Sequence, residues 1–202
     1  SLLAELECAE IGEAALDTVY LGGGTPTLIG TDLLEEIMVA LRVRLRPDAE
    51  VTVEANPSTV TAGLAAGLKQ AGVNRVSLGV QSFDTRLRRN LGRTGDTGDV
   101  FRAMEALRGA GFENVGMDLM FGVPGQGARE LESDIKQVQS LVPEHVSWYE
   151  LTVKDGSAYS ERWREELTAA RGLGPEFYRI MAGALENAGY RWYETSNYAL
   201  PQ

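Results

Sequence analysis

Tyr20-Leu21-Gly22-Gly23-Gly24-Thr25-Pro26 is the stretch around which the fold of this chain is organised. It follows a short apolar run that begins at Thr18, and it precedes a helical pattern. Three consecutive glycines at the end of a strand leave N–H and C=O groups that a ligand can approach without meeting a Cβ. Pro26 then prevents the strand from continuing as a central one. A glycine run taken alone more often marks a tight strand-to-helix turn than a ligand site, so the rest of the chain must decide.

Strand and helix patterns alternate along the whole chain. Strands are expected at 18–21, 50–55, 75–82, 115–121, 145–151 and 190–195. Helices are expected at 3–16, 33–41 after a Thr31-Asp32 cap, 61–71, 86–91, 97–110, 128–141, 158–170 and 176–188. This alternation predicts an α/β fold of βα units with parallel strands, curled into a barrel or an open twisted sheet. Because no linker or low-complexity tract interrupts it, we expect one domain over residues 1–202.

Composition limits the class of protein. The chain has 202 residues, is 44% hydrophobic and carries a net charge of −10, which argues against a general nucleic-acid or anionic membrane surface. Cys8 is the single cysteine, which excludes an intrachain disulfide and a metal site made of several cysteines. The sequence contains neither a signal-peptide pattern nor an apolar run long enough for a membrane span, so we expect a cytoplasmic protein.

Polar residues or glycines follow nearly every predicted strand. They are Gly22 to Thr25, Glu54 with Asn56, Gln81 with Ser82, Asp118, Glu150 with Thr152, and Glu194 with Asn197. In a parallel α/β protein the carboxyl ends of the strands face one side, and that side holds the ligand. The pattern therefore predicts a ligand that carries amino, carboxylate or hydroxyl groups.

Each of these residues also has a simpler interpretation. Glu54 and Asp118 could cap the next helix or hold an arginine. Gln81 could be a solvated strand end, and Arg93 could be a surface charge. The glycine run does not continue to G-x-G-x-x-G, no P-loop is present, and a Ser/His/Asp triad cannot be argued from the single histidine, His145. Spacing alone therefore does not name a reaction.

Six blocks of sequence, taken in order, resemble one family. They are Tyr20 to Leu28 (YLGGGTPTL), Val53 to Pro57 (VEANP), Gly72 to Phe83 (GVNRVSLGVQSF), Leu91 to Arg93 (LGR), Met117 to Gln126 (MDLMFGVPGQ) and Tyr193 to Ala199 (YETSNYA). The chain resembles the radical S-adenosylmethionine (SAM) proteins of the coproporphyrinogen III dehydrogenase group. Within that group it is most similar to the HemW-type heme chaperones, also described as oxygen-independent coproporphyrinogen III oxidase-like proteins. The resemblance covers nearly the whole chain.

The resemblance implies a fold, two cofactors and a set of site residues. The implied fold is a partial (β/α)6 TIM-like barrel with a [4Fe–4S] cluster on a C-x3-C-x2-C loop and SAM on the cluster's open iron. The backbone of Gly23, Gly24 and Thr25 would meet the amino group of SAM. Other implied contacts are Glu54 to a cationic or hydroxyl-bearing part of SAM, Arg93 to a carboxylate, Asp118 to the ribose hydroxyls, Gln81 to SAM, and Thr152 near the adenine.

The chain departs from the family at the cluster. It contains no C-x3-C-x2-C loop, and Cys8 alone cannot replace three ligands. The chain lacks an initiator methionine, so we expect an internal piece of a longer protein, with the first strand and the cluster loop just upstream of Ser1. By itself this piece is expected to hold no cluster and to cleave no SAM.

Three functions follow as hypotheses. The first is a HemW-like protein that binds SAM and heme and hands heme to an apo-hemoprotein, with His145 as a weak candidate for a heme ligand. The second is a coproporphyrinogen III dehydrogenase that decarboxylates two propionates through a 5′-deoxyadenosyl radical. The third is a cluster-less barrel fragment that binds nothing.

Overall fold

A computed structural model describes residues 2–8 and 15–201 of the chain. The chain forms two compact units, the first comprising Ser1–Leu78 and Arg102–Val115, the second Gly79–Phe101 and Gly116–Gln202. In chain order the elements are α1 (Leu2–Cys8), β1 (Leu16–Leu21), α2 (Thr31–Arg42), β2 (Leu45–Ala55), α3 (Ala62–Ala71), β3 (Arg75–Gln81), α4 (Thr85–Asn90), α5 (Gly98–Gly109), β4 (Asn114–Phe121), α6 (Ala128–Leu141), β5 (His145–Glu150), α7 (Ala158–Arg162), α8 (Arg164–Arg171), α9 (Gly174–Asn187), β6 (Arg191–Glu194) and β7 (Asn197–Ala199).

The first unit is built on parallel strands. β1 pairs with β2, with Leu21 opposite Val53, and β2 pairs with β3, with Val53 opposite Val76. β1 has no buried residue, whereas β2 is buried from Val51 to Val53 and β3 from Val76 to Leu78. Their buried side chains pack with those of the helices to form a core that includes Val51, Val53, Val76, Leu78, Leu34, Met38, Leu41 and Leu68.

The second unit contains a parallel pair and an antiparallel hairpin. β4 pairs with β5 in parallel, with Asp118 opposite Ser147. β7 pairs antiparallel with both β5 and β6, which gives the order β4-β5-β7-β6. The core of this unit includes Met117, Leu119, Leu131, Val138, Val146, Trp148, Phe177, Met181 and Leu185. The predicted α/β class with parallel strands is therefore observed in both units.

The N-terminal third differs from the sequence prediction in three places. α1 ends at Cys8 and Leu16 begins β1, so the expected helix over 3–16 is wrong at Ala15 and Leu16, whereas its residues 9–14 lie outside the described part. β2 begins at Leu45, five residues before the expected start at residue 50, with a register shift against β1. Gly30, at φ 86°, is the N-cap of α2, and Thr31 already belongs to the helix.

The C-terminal part contains a strand that the sequence pattern did not predict. The expected strand over 190–195 is β6, and β7 follows it after a tight turn. Ser147 of β5 pairs with Asn197, which pairs with Glu194. Asn197 and Glu194 therefore lie level with the middle of β5 and not at its carboxyl end. The helical pattern at 158–170 is divided at Trp163 into α7 and α8.

Among the described residues, no helix is both long enough and apolar enough to cross a membrane.

Candidate functional site

The glycine run leaves β1 as open backbone. Gly23 and Gly24 have φ values of 95° and 98°, in the left-handed region that favours glycine. A Cβ built on either of them would meet no atom within 4 Å, so the backbone angle and not crowding requires glycine. Thr25 then begins a one-turn 3₁₀ helix over Pro26–Ile29, closed by the N–H of Leu28 donating to the Thr25 carbonyl at 3.0 Å.

Glu54 lies directly beside this run, within the same unit. One carboxylate oxygen, Oε1, accepts a hydrogen bond from the Tyr20 hydroxyl at 2.9 Å, and Oε2 accepts one from the Gly23 N–H at 3.3 Å. The parallel pairing of β1 and β2 explains the contact, because Leu21 lies opposite Val53 and the glycine run therefore starts level with Glu54, one residue before β2 ends. The sequence therefore brings Glu54, Gly23 and the exposed Tyr20 to one place.

The alternative role of Glu54 as a helix cap is wrong. Asn56 is the residue that caps the next turn, since its Oδ1 accepts a hydrogen bond from the Ser58 N–H at 3.1 Å. No arginine or lysine of the described ranges forms an ion pair with Glu54. Glu54 is half-buried at a strand end and bound only to the glycine-run segment, a position that suits contact with a ligand.

Gln81 closes β3 in an unusual backbone conformation. Its φ is 68°, and the Ser82 N–H donates to the Val80 carbonyl at 2.9 Å across it, which forms a three-residue γ-turn. A non-glycine residue in this region is strained by about 1–3 kcal/mol and is found disproportionately at functional sites. The half-buried Gln81 is thus more than an ordinary solvated strand end.

Arg93, Asp118 and Thr152 belong to the same unit as Gln81. Arg93 is exposed after α4, and its N–H donates to the Arg88 carbonyl at 2.9 Å. Asp118 is half-buried inside β4, three residues before the strand ends at Phe121, and not at the strand end as the sequence suggested. Thr152 is exposed just beyond β5.

The side chains that support these residues were not identified by the sequence pattern. Tyr20 binds Glu54, Arg88 donates to the Val80 carbonyl at 2.7 Å, and Asp134 accepts hydrogen bonds from Ser82 and Phe83. The burial of Asp134 could have been predicted from its position in α6. It falls at helical spacing among the apolar residues that form the buried face of this helix, Leu131, Ile135 and Val138. Burial raises the pKa of Asp134 to about 7, against the effect of its two hydrogen bonds.

The residues of this chain do not fit a [4Fe–4S] cluster. Cys8 is the only cysteine of the sequence, and it is exposed on α1. In the described ranges, no group of three or more His, Cys, Asp or Glu side chains could hold a metal ion. The candidate heme ligand His145 is buried, and its Nε2 lies 2.7 Å from the Tyr193 hydroxyl in a hydrogen bond.

Comparison with known families defines first a class and then a family. The alternating strands and helices, with polar groups at the strand ends, belong to the α/β proteins with a parallel sheet. Residues 3–138 match the model of the radical SAM superfamily. Since that match covers more than half of the chain, the chain belongs to the radical SAM superfamily.

Individual relatives resemble the chain over nearly all of its length. The heme chaperone HemW of Lactococcus lactis is 35% identical over an alignment of 205 positions that covers 100% of this chain and 54% of that protein. HemW of Bacillus subtilis is 38% identical over 197 residues, covering 95% of this chain and 52% of that protein. HemW of Escherichia coli is 36% identical over 188 residues, covering 91% and 49%. The chain therefore spans about half the length of the curated relatives it matches.

A solved structure provides the comparison of folds. Coproporphyrinogen III oxidase (HemN) from Escherichia coli, a radical SAM enzyme, superposes with a TM-score of 0.74 over 92% of this chain and 43% of that protein. Sequence identity is 24%, so this likeness concerns the fold alone. It confirms the predicted fold class, that of the partial (β/α)6 barrel.

Proposed function

We propose that this chain is the SAM-binding core of a HemW-like protein that acts in heme trafficking. The observation that carries the proposal is the match of residues 3–138 to the radical SAM superfamily. The HemW relatives, 35–38% identical to the chain in three organisms, favour heme trafficking over other radical SAM functions. In the whole protein a [4Fe–4S] cluster and heme complete the set of cofactors, and an apo-hemoprotein receives the heme. A cytoplasmic location is part of the same proposal.

Each unit, taken by itself, contains groups that are proposed to contact SAM. In the first unit, the backbone of Gly23, Gly24 and Thr25 receives the amino group of SAM, and the Glu54 carboxylate accepts from hydroxyl or cationic groups. In the second unit, the Arg93 guanidinium binds a carboxylate through its paired N–H groups. Asp118 accepts from ribose hydroxyls, and Gln81 and Thr152 make further polar contacts.

Replacing Arg93 with methionine should weaken SAM binding by about tenfold or more, because a charge-assisted hydrogen bond contributes about 1.5–3 kcal/mol. Isothermal titration of the 202-residue chain with SAM measures the change, and Asp118→Ala provides a second site variant. Arg129→Met is the matched control, since Arg129 is an exposed arginine on α6 outside the proposed contacts. Equal SAM affinity in Arg93→Met and Arg129→Met would show that Arg93 is an ordinary surface charge that does not contact SAM.

A methyl group on Gly22 should lower the affinity for SAM while it leaves the free energy of unfolding nearly unchanged. A Cβ there would lie 2.9 Å from Tyr20 Cε1 and 3.0 Å from Glu54 Oε1, so Gly22→Ala must displace both side chains. Because both are flexible ends, we expect the free energy of unfolding to change by less than about 1 kcal/mol while SAM affinity falls severalfold. Circular dichroism and titration measure the two effects. Gly183→Ala in α9, where a Cβ meets nothing within 4 Å, is the control that should leave affinity unchanged.

Two alternatives have separate tests. A coproporphyrinogen III dehydrogenase is the second candidate, and the likeness to HemN, at 24% identity, concerns its fold and not its reaction. Turnover of coproporphyrinogen III by the reconstituted full-length protein would replace the heme-trafficking proposal with this one. Absence of SAM binding by the folded chain would leave a barrel fragment without activity.

A further inference from the structure

The γ-turn after β3 places its strained residue between two anchored neighbours. Gln81 has a φ of 68°, and the turn closes through the hydrogen bond from the Ser82 N–H to the Val80 carbonyl. A side chain other than glycine keeps such a conformation only where the surroundings hold it. The conformation of Gln81 must therefore be held by the groups that bind Val80 before it and Ser82 and Phe83 after it.

Arg88 holds the residue before Gln81. Its side chain is 2% exposed, and Nη1 donates to the Val80 carbonyl at 2.7 Å. No carboxylate in the described part of the chain forms an ion pair with it, and its buried Nε has no acceptor. The Arg88 carbonyl also accepts the N–H of Arg93 at 2.9 Å. A buried guanidinium without an ion pair is a costly arrangement, and its one strong bond supports the turn.

Asp134 holds the residues after Gln81. Its side chain is fully buried on α6, where Oδ2 accepts from the Ser82 hydroxyl at 2.8 Å and Oδ1 from the Phe83 N–H at 2.7 Å. The Ser82 oxygen in turn accepts the N–H of Asp84 at 3.0 Å, so the hydroxyl is fixed in orientation. Both carboxylate oxygens are thus committed to the two residues that follow Gln81.

We infer that Arg88 and Asp134 are positioning residues that keep Gln81 in its left-handed conformation and so present its side chain to the ligand. Neither residue is proposed to touch SAM. The inference rests on the proposed function, in which Gln81 contacts SAM. The Arg88 side chain donates to Val80, and the Asp134 carboxylate accepts from Ser82 and Phe83. Because these partners lie beside Gln81, loss of either side chain should change the turn before it changes the rest of the unit.

The first test measures SAM affinity by isothermal titration at a temperature where all variants are folded. We expect Arg88→Met and Ser82→Ala each to weaken SAM binding at least about threefold. Asp134→Leu should bind SAM more weakly than either of these variants. The conservative variants Arg88→Lys and Asp134→Asn, which keep a hydrogen-bonding group in place, should recover affinity to within about twofold. Failure of the conservative variants to recover affinity would contradict the inference.

The second test needs no ligand. Hydrogen exchange of the Ser82 amide, followed by NMR, reports the bond that closes the γ-turn. Arg88→Met and Ser82→Ala should speed this exchange at least about tenfold relative to the slow amides of β4, whereas uniform acceleration would indicate a merely structural role. Gln81→Ala tests the proposed contact with SAM separately from the positioning role. Normal SAM affinity in Gln81→Ala would refute the contact of Gln81 with SAM. The exchange rate of the Ser82 amide would still decide whether Arg88 and Asp134 hold the turn.

Discussion

The free energy of unfolding should fall by about 2 kcal/mol between about pH 5.5 and about pH 8 because of one residue, Asp134. Burial raises the pKa of its carboxyl from an ordinary 3.8 to about 7. The charges of Asp84 and Glu130 raise this pKa further, whereas the hydrogen bonds from Phe83 and Ser82 lower it. The folded state therefore binds a proton that the unfolded state releases between these two values.

The sign and the size follow from this difference. The stabilisation from the protonated carboxyl is fully present below about pH 3.8 and is lost as the pH rises through about 7. The whole loss is about 4 kcal/mol, and about half of it falls above pH 5.5. Urea titrations followed by circular dichroism at several pH values measure this loss of stability. The measurements start at about pH 5.5 because the chain, with a net charge of −10, approaches neutrality in acid.

Asp134→Asn is the variant that isolates the effect. An asparagine keeps the shape and can still accept from the Phe83 N–H, but it cannot ionise. Its free energy of unfolding should therefore lack the fall of about 2 kcal/mol that Asp134 causes in the wild type above pH 5.5. Asp48→Asn, a change at an exposed carboxylate on β2, controls for the loss of one charge. Identical pH slopes in the wild type and in Asp134→Asn would show that this carboxyl is not the source.

The parts of the site that sequence could predict are those fixed by strand topology. Parallel pairing places Leu21 opposite Val53, so the glycine run that follows Leu21 must start level with Glu54. The same rule places Gln81 at the end of β3. Helix ends followed their local signals: the Thr61 hydroxyl accepts from the Leu64 N–H at 3.2 Å, and Gly72 at φ 96° ends α3.

The supports of the site were not predictable from patterning, for physical reasons. Charged residues on helices normally face water, so the burial of Arg88 and Asp134 contradicts the usual expectation. The positive φ of Gln81 is carried by a residue type that rarely adopts it. β7 has three residues, too few to show a strand period, and its antiparallel pairing places Glu194 and Asn197 level with the middle of β5 and not at its carboxyl end. The assignment of Gln81, Arg93, Asp118 and the other site residues to SAM stays a prediction.

Adding a methyl group to Gly67 of α3 should destabilise the first unit by about 1–3 kcal/mol, even though alanine favours helix. A Cβ on Gly67 would lie 2.5 Å from Cγ2 and 3.1 Å from Cβ of Thr31, so the side chain of Thr31 cannot relieve the clash by rotation alone. α2 and α3 would have to separate. α2 follows the glycine run and α3 follows the strand of Glu54, so the hydrogen bond between Gly23 and Glu54 should weaken as well.

Gly63→Ala is a matched control one turn earlier in the same helix. A Cβ on Gly63 would lie 3.9 Å from Thr61 Oγ1, an ordinary contact, so this change should stabilise the chain by up to about 1 kcal/mol. Thr31→Ser removes Cγ2, the nearest atom to the new methyl, and should restore part of the stability of Gly67→Ala. Thermal and urea unfolding of the four proteins measure these signs. Equal stabilisation by alanine at 63 and 67 would show that the two helices are not in close contact at Gly67, and that the position of the glycine run does not depend on this contact.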